Sequence, residues 1–177
     1  TDRSDYILHP ESGERLSEQG AETIDRLRRR HQGRFDVQLV VSDGLNALAI
    51  TDEGHLEPFL DRLRSRLIEE GYQPSPETIV VTSGRVRAGY RIGERLFGGL
   101  EGHRAILHVI GERPGTGHHT FSVYVTAPPG SLWGQEGGVD HNITKVVSGI
   151  ATTALPPLTG VQESLTLLDS LVGPGPM

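Results

Sequence analysis

The chain of 177 residues contains no cysteine. That excludes disulfides, thiolate zinc sites, Fe–S clusters and a cysteine nucleophile, and it fits a reducing cytoplasm. No apolar run approaches the ~20 residues that cross a bilayer. No charged-then-apolar stretch of the secretory kind opens the sequence, so no membrane association is expected. Clustered positive charge is scarce as well. With 17 Lys+Arg against 23 Asp+Glu the formal charge is −6, which argues against broad nucleic-acid binding, because phosphate affinity needs a basic surface. The densest basic run, Arg26-Leu27-Arg28-Arg29-Arg30, falls near the end of an expected helix, where cations meet the negative end of the dipole. Gly-x-Gly-x-x-Gly after a first strand and Gly-x-x-x-x-Gly-Lys are both missing, as is the Gly-x-Ser-x-Gly of a serine hydrolase. A first residue of Thr rather than Met implies a processed chain or a part of a longer one.

What is there describes a folded domain. Apolar residues make up 35% beside 23 Gly, a normal globular composition, and one domain of this length can bury about 70% of its unfolded surface. Residues 1–10 read as extended. Ser12 is a candidate cap for a helix to about His31, with Leu16, Ile24 and Leu27 on one face. Residues 36–42 read as a buried strand stopped by Asp43-Gly44. Leu56, Phe59, Leu60, Leu63 and Leu67 recur at helical spacing until Gly71, with Pro58 tolerable in the first turn. A strand at 78–82, a turn at Ser83-Gly84-Arg85 and a helix over 89–97 follow. Strands are expected at 104–110 and 120–126, the second alternating like an antiparallel edge. Residues 130–157 resist assignment, and a last helix covers 158–172. Helices alternating with strands predict an α/β fold with a mostly parallel sheet, in one domain over residues 1–177.

Ligands of open α/β sheets bind beyond the carboxyl ends of the strands. Three turns are expected there: Ser42-Asp43-Gly44-Leu45, Ser83-Gly84-Arg85-Val86 and Gly111-Glu112-Arg113-Pro114-Gly115. Each sets a polar group beside a glycine that lets backbone approach a ligand. Glu112 can accept hydrogen bonds from an amide or hydroxyl, and Arg85 can meet an anion or a carbonyl. Equally, Asp43 and Glu112 can be helix caps. Trp133 is a ligand platform, an interface anchor or local packing. His118-His119 with Asp140-His141 offer metal-ligand chemistry, but adjacent strand histidines point to opposite faces. Arg91, Glu94 and Arg95 read as a solvated helix face.

Taken in order, Val37 to Leu45, Gly84-Arg85-Val86, Ile92-Gly93-Glu94, Gly111 to Gly115 and Ser122-Val123-Tyr124 resemble the small (light) subunit of ethanolamine ammonia-lyase over nearly the whole chain. The resemblance implies a Rossmann-like subunit that binds adenosylcobalamin against a TIM-barrel large subunit in a hetero-oligomer. The reaction implied is conversion of ethanolamine to acetaldehyde and ammonia by radical rearrangement, in the cytoplasm, bacterial microcompartments included. Positions matching Val86 and Glu112 bind the cofactor in that family. A third aligns with Asn142-Ile143-Thr144-Lys145, where Asn142 replaces the family's Cys and Lys145 an Asn. The cofactor-binding candidates are therefore Val86, Glu112, Asn142, Arg85 and Asp43, with no catalytic or metal-ligating residue. The following segment is longer than the family's, and the family's N-terminal region is missing. The Asp-x-His-x-x-Gly box of base-off cobalamin proteins is absent, consistent with a cofactor that keeps its own base. Two alternatives stand beside this reading: a non-catalytic ligand- or protein-binding module on the same fold, and a metal hydrolase built on His118, His119 and His141. The first reading expects Glu112 just past the third strand and near Arg85, with exposed apolar surface around the turns and residues 130–150.

Overall fold

The computed structural model describes residues 15–51, 54–112, 119–128, 133–134 and 143–173. Ile24 and Leu27 lie on the buried face of helix α1, but the helix spans Glu18–His31, so Leu16 precedes it, packed against the same cluster, and its cap is Ser17, whose Oγ accepts from Gly20 N at 3.1 Å. Ser12 lies outside the described residues, five positions before the observed cap. Ser17 wins because its hydroxyl satisfies an orphan N–H of the first turn and Glu18 follows it at the positive end of the dipole. Strand β1 (Val37–Ser42) is buried throughout. A short helix α2 (Leu48–Thr51) and helix α3 (Leu56–Glu69) follow, and α3 ends at Gly71 with φ +90°. Strand β2 is Ile79–Val81. Helix α4 runs Val86–Phe97, starting three residues earlier than expected.

Strands β3 (Ala105–Gly111), β4 (Phe121–Thr126) and β5 (Thr144–Ile150) complete one five-stranded sheet of order β2-β1-β3-β4-β5. Helix α5 is Pro157–Val172. The fold class is mixed α/β, but the sheet is less parallel than predicted. β1 pairs in parallel with β2 and β3, whereas β4 is antiparallel to both β3 and β5. β4 is accordingly interior, and β5 is the edge. The direct hairpin from β3 to β4, closed by Glu112 N–H on Thr120 O at 3.0 Å, leaves no room for a crossover helix, which a parallel pairing requires.

Alternation along the strands divides the core in two. Odd-numbered residues of β1, β3 and β4, such as Leu39, Leu107 and Val123, pack under α3 and α5 with Phe59, Leu63 and Leu165. Even-numbered residues such as Val40 and Ile106 pack under α1 and α4 with Ile24, Ile92, Leu96 and Trp133. Two glycines let α4 lie low: a Cβ on Gly93 would collide with the Trp133 ring, and one on Gly89 would come within 2.9 Å of His108 Nδ1. The basic run of α1 serves the fold. Arg28 donates to the carbonyls of Arg95 and Gly98, and Arg30 and His31 both meet Glu77. Among the described residues no helix is long and apolar enough to cross a membrane.

Candidate functional site

Because β1, β2 and β3 run in parallel, the turns that follow them open on one edge of the sheet. The turn after β1 is tied to the end of β3 and closed on itself. Leu45 N–H donates to Gly111 O at 3.2 Å, and Asn46 N–H to Asp43 O at 3.1 Å. Gly44, at φ +58°, has no room for a Cβ against Gly111 O, and a Cβ on Gly84 would stand 2.8 Å from that of Ser42. Ser83 is held in the left-handed region at φ +55°, which costs a non-glycine residue energy and is found where surrounding structure enforces it. The Arg85 guanidinium closes the arrangement, donating through Nη1 to the Gly44 carbonyl.

The sequence-derived candidates distribute unevenly over this edge. Asp43 and Arg85 are half-buried within it, and Val86 opens α4 directly above. Asp43 is not a helix cap: the next helix, α2, starts only at Leu48, and Asp43 Oδ1 is buried with no hydrogen-bond partner among the described residues. Glu112 does lie just past β3, but its carboxylate is engaged away from Arg85. Oε1 accepts from Ser122 Oγ and from Gly149 N (3.0 Å), and Oε2 accepts from Thr120 Oγ1. β1 separates β3 from β2, so the turn carrying Glu112 is not the neighbour of the turn carrying Arg85. Glu112 caps no helix either; it laces the end of β3 to β4 and β5. Partial burial pushes its carboxyl pKa up, but the hydrogen bonds from Ser122, Thr120 and Gly149 outweigh that and hold it below the ordinary carboxylate value. The same carboxylate, after burial, pushes up the pKa of the neighbouring Tyr124 phenol. Asn142 lies outside the described residues, as do His118, Asp140 and His141. Among the described residues no three His, Asp or Glu side chains gather as metal ligands.

Trp133 is local packing: it is 2% exposed, covers Gly93 and donates through Nε1 to Arg104 O at 3.0 Å. Arg91 and Glu94 pair on the surface as expected, whereas Arg95 reaches Asp25 of α1 with two hydrogen bonds. A cavity of about 600 Å³ adjoins the edge beside β2, lined by Ser17, Thr23, Ile24, Thr82, Ser83 and Gly84. Large apolar side chains stand exposed near the edge, Leu48 on α2 at 56% and Leu158 at the start of α5 at 70%, and Val146 of β5 is exposed as well.

Sequence reasoning passed over His108. It sits in an apolar strand, 1% exposed, and its Nε2 lies 2.8 Å from Ser42 Oγ, itself the last residue of β1. A histidine interrupting Ala105-Ile106-Leu107 and Val109-Ile110 is the signal that was available; in the sheet it stands opposite Val40, with Ser42 two residues further along β1.

Parallel strands β1, β2 and β3 of an α/β scaffold bring the residues that follow them to one edge, the place where open α/β sheets bind ligands. Among such α/β proteins the chain belongs to the ethanolamine ammonia-lyase light chain family: the family model "Ethanolamine ammonia-lyase light chain (EutC)" matches residues 1–174. It is 36% identical over 129 residues to an ethanolamine ammonia-lyase small subunit of Pseudomonas fluorescens (strain Pf0-1), covering 72% of this chain and 44% of that protein. Against the small subunit of Pseudomonas syringae pv. tomato the identity is 37% over 129 residues, 72% of this chain and 42% of the relative. Against that of Pseudomonas aeruginosa (strain LESB58) it is 37% over 131 residues, 72% and 44%. The chain thus spans less than half the length of these relatives.

Proposed function

We propose that this chain is the cofactor-binding part of the small subunit of an adenosylcobalamin-dependent ethanolamine ammonia-lyase, a single Rossmann-like domain that works against a TIM-barrel large subunit in a hetero-oligomer. The reaction is conversion of ethanolamine to acetaldehyde and ammonia, in the cytoplasm or in a bacterial microcompartment there. Substrate contacts and the rearrangement belong to the large subunit. Family membership supports the reading, and the observation that carries it is the turn after β1, tied to the end of β3 and to Arg85 at one sheet edge, with a buried Asp43 oxygen in it that has no hydrogen-bond partner among the described residues.

The donor and acceptor set fits a corrinoid. The corrin rim carries amides, and the cofactor's tail carries a phosphate and a base. Asp43 Oδ1 is an acceptor that costs stability where it stands and would be repaid by an amide N–H. Glu112 has about four acceptor sites as a carboxylate and uses three, so one remains for the cofactor. Arg85 and the main chain of Val86 supply donors on the far side of the same edge, and Asn142 joins the set on the strength of the resemblance. When bound, adenosylcobalamin supplies the radical for the rearrangement. Asp43, Glu112, Arg85 and Val86 of this chain would hold and orient it. The exposed Leu48 and Leu158 suit burial against the large subunit.

Asp43 gives the cleanest test, because no hydrogen bond of its side chain holds the described fold. The Asp43→Ala chain, reconstituted with a large subunit of the family, is titrated with hydroxocobalamin by absorbance. The affinity should fall roughly tenfold, equivalent to about 1.4 kcal/mol, with the melting temperature of the chain unchanged or raised. Unchanged affinity would remove Asp43 and this edge from the site.

A further inference from the structure

Ser42 and His108 form a buried polar pair directly beneath the two turns that flank the candidate site. Both side chains are 1% exposed, and they meet at 2.8 Å on the sheet face that packs under α1 and α4. Ser42 immediately precedes Asp43, and its Cβ is the surface on which Gly84 rests. On its other side the imidazole faces the main chain of Val86, the first residue of α4, with Nδ1 making no well-formed hydrogen bond among the described residues. Gly89, one turn along α4, is the residue that leaves space for the ring. One histidine thus touches both the end of β1 and the start of α4. An apolar side chain would fill this space at less cost, since a buried ring nitrogen without a good partner is destabilising.

We propose that His108 is a positioning residue, which with Ser42 fixes the turn after β1 against the first turn of α4 so that Asp43 and Val86 stay in register for the cofactor. This rests on the reading that the edge seats cobalamin. The ring meets Ser42 through Nε2 and lies against Gly89 of α4 on its Nδ1 side, so it spans the two elements by one hydrogen bond and one packing contact. Burial keeps the ring neutral, pushing its pKa down to about 3 against a weaker upward pull from the Val86 main chain. The pair therefore holds the same bonding pattern across the working pH range.

The test uses the double variant Ser42→Ala/His108→Leu, since removing both partners together leaves no orphan and should preserve folding. Amide hydrogen exchange of the full chain is followed over residues 84–88, and hydroxocobalamin is titrated into the chain reconstituted with a large subunit. Exchange over 84–88 should quicken severalfold while the rest of α4 and the melting temperature hold, and cobalamin affinity should fall roughly fivefold to tenfold. His108→Gln, whose amide reaches the Nε2 position, should recover part of both. Unchanged exchange over 84–88 overturns the proposal whatever the cofactor does. Faster exchange with unchanged cobalamin affinity also overturns it, by reducing the pair to packing. Faster exchange in a protein whose unmutated complex takes up no cobalamin upholds the positioning of the turns and rejects the functional reading instead.

Discussion

Glu112 engages three donors inside the fold, and removing it strands all three at once: Thr120 and Ser122 at the start of β4, and the Gly149 N–H of β5. Glu112→Ala should therefore cost about 1–3 kcal/mol of stability, measured as a lower urea midpoint. The pH dependence has a definite sign. The folded-state pKa lies below the ordinary carboxylate value, so the stabilisation is complete above the unfolded pKa of about 4.3 and is lost as pH falls through the folded value. The stability difference between the native protein and Glu112→Gln should be largest at neutral pH and shrink in mild acid; a difference that grows in acid would contradict these contacts. The sequence displayed Glu112 as a turn acceptor but not its occupants, because they arrive from β4 and β5. His108 stayed hidden for the same reason, since its partner Ser42 lies on another strand and no local pattern joins the two.

Among the elements, α4 has the tightest fit. Gly89 and Gly93 stand four apart on its inner face, one under His108 and the other under Trp133. Gly93→Ala should force the Trp133 ring or the helix outward and cost about 1–3 kcal/mol as overpacking. Because the clash is with one side chain, the same substitution in a Trp133→Leu background should cost clearly less, a coupling that thermal melts of the four proteins would reveal. Equal cost in both backgrounds would mean that Gly93 is needed for something other than Trp133. α1, α3, α5 and the first four strands were legible from periodicity and glycine stops. β5 was not. Its alternation is broken by Gly149 at φ +74°, and between Phe121 and Val123 the register to β4 slips, so that part of 130–157 carried no clean period of two. The early start of α4 was also missed, since Arg85 enters the helix without any side-chain cap.

At the scale of the molecule, the sheet combines a parallel half that builds the edge with an antiparallel half that closes it. The alternation of helices and strands showed the first half, and the alternating apolar pattern of β4 showed part of the second, although β4 is interior rather than an edge. Periodicity does not reveal strand direction, which is why the parallel share was overestimated. Family membership supports the proposed corrinoid ligand and large-subunit partner, which the geometry alone would leave general. The account predicts a chain that is inert alone and necessary in company. The most direct measurement is ethanolamine deamination by the purified chain, by a large subunit of the family, and by the two mixed, each with and without adenosylcobalamin. Activity confined to the mixture with adenosylcobalamin, rising with added chain until the subunits are matched, is the predicted result. Deamination by this chain alone, or a large subunit whose activity and cobalamin uptake ignore the chain, would contradict the account.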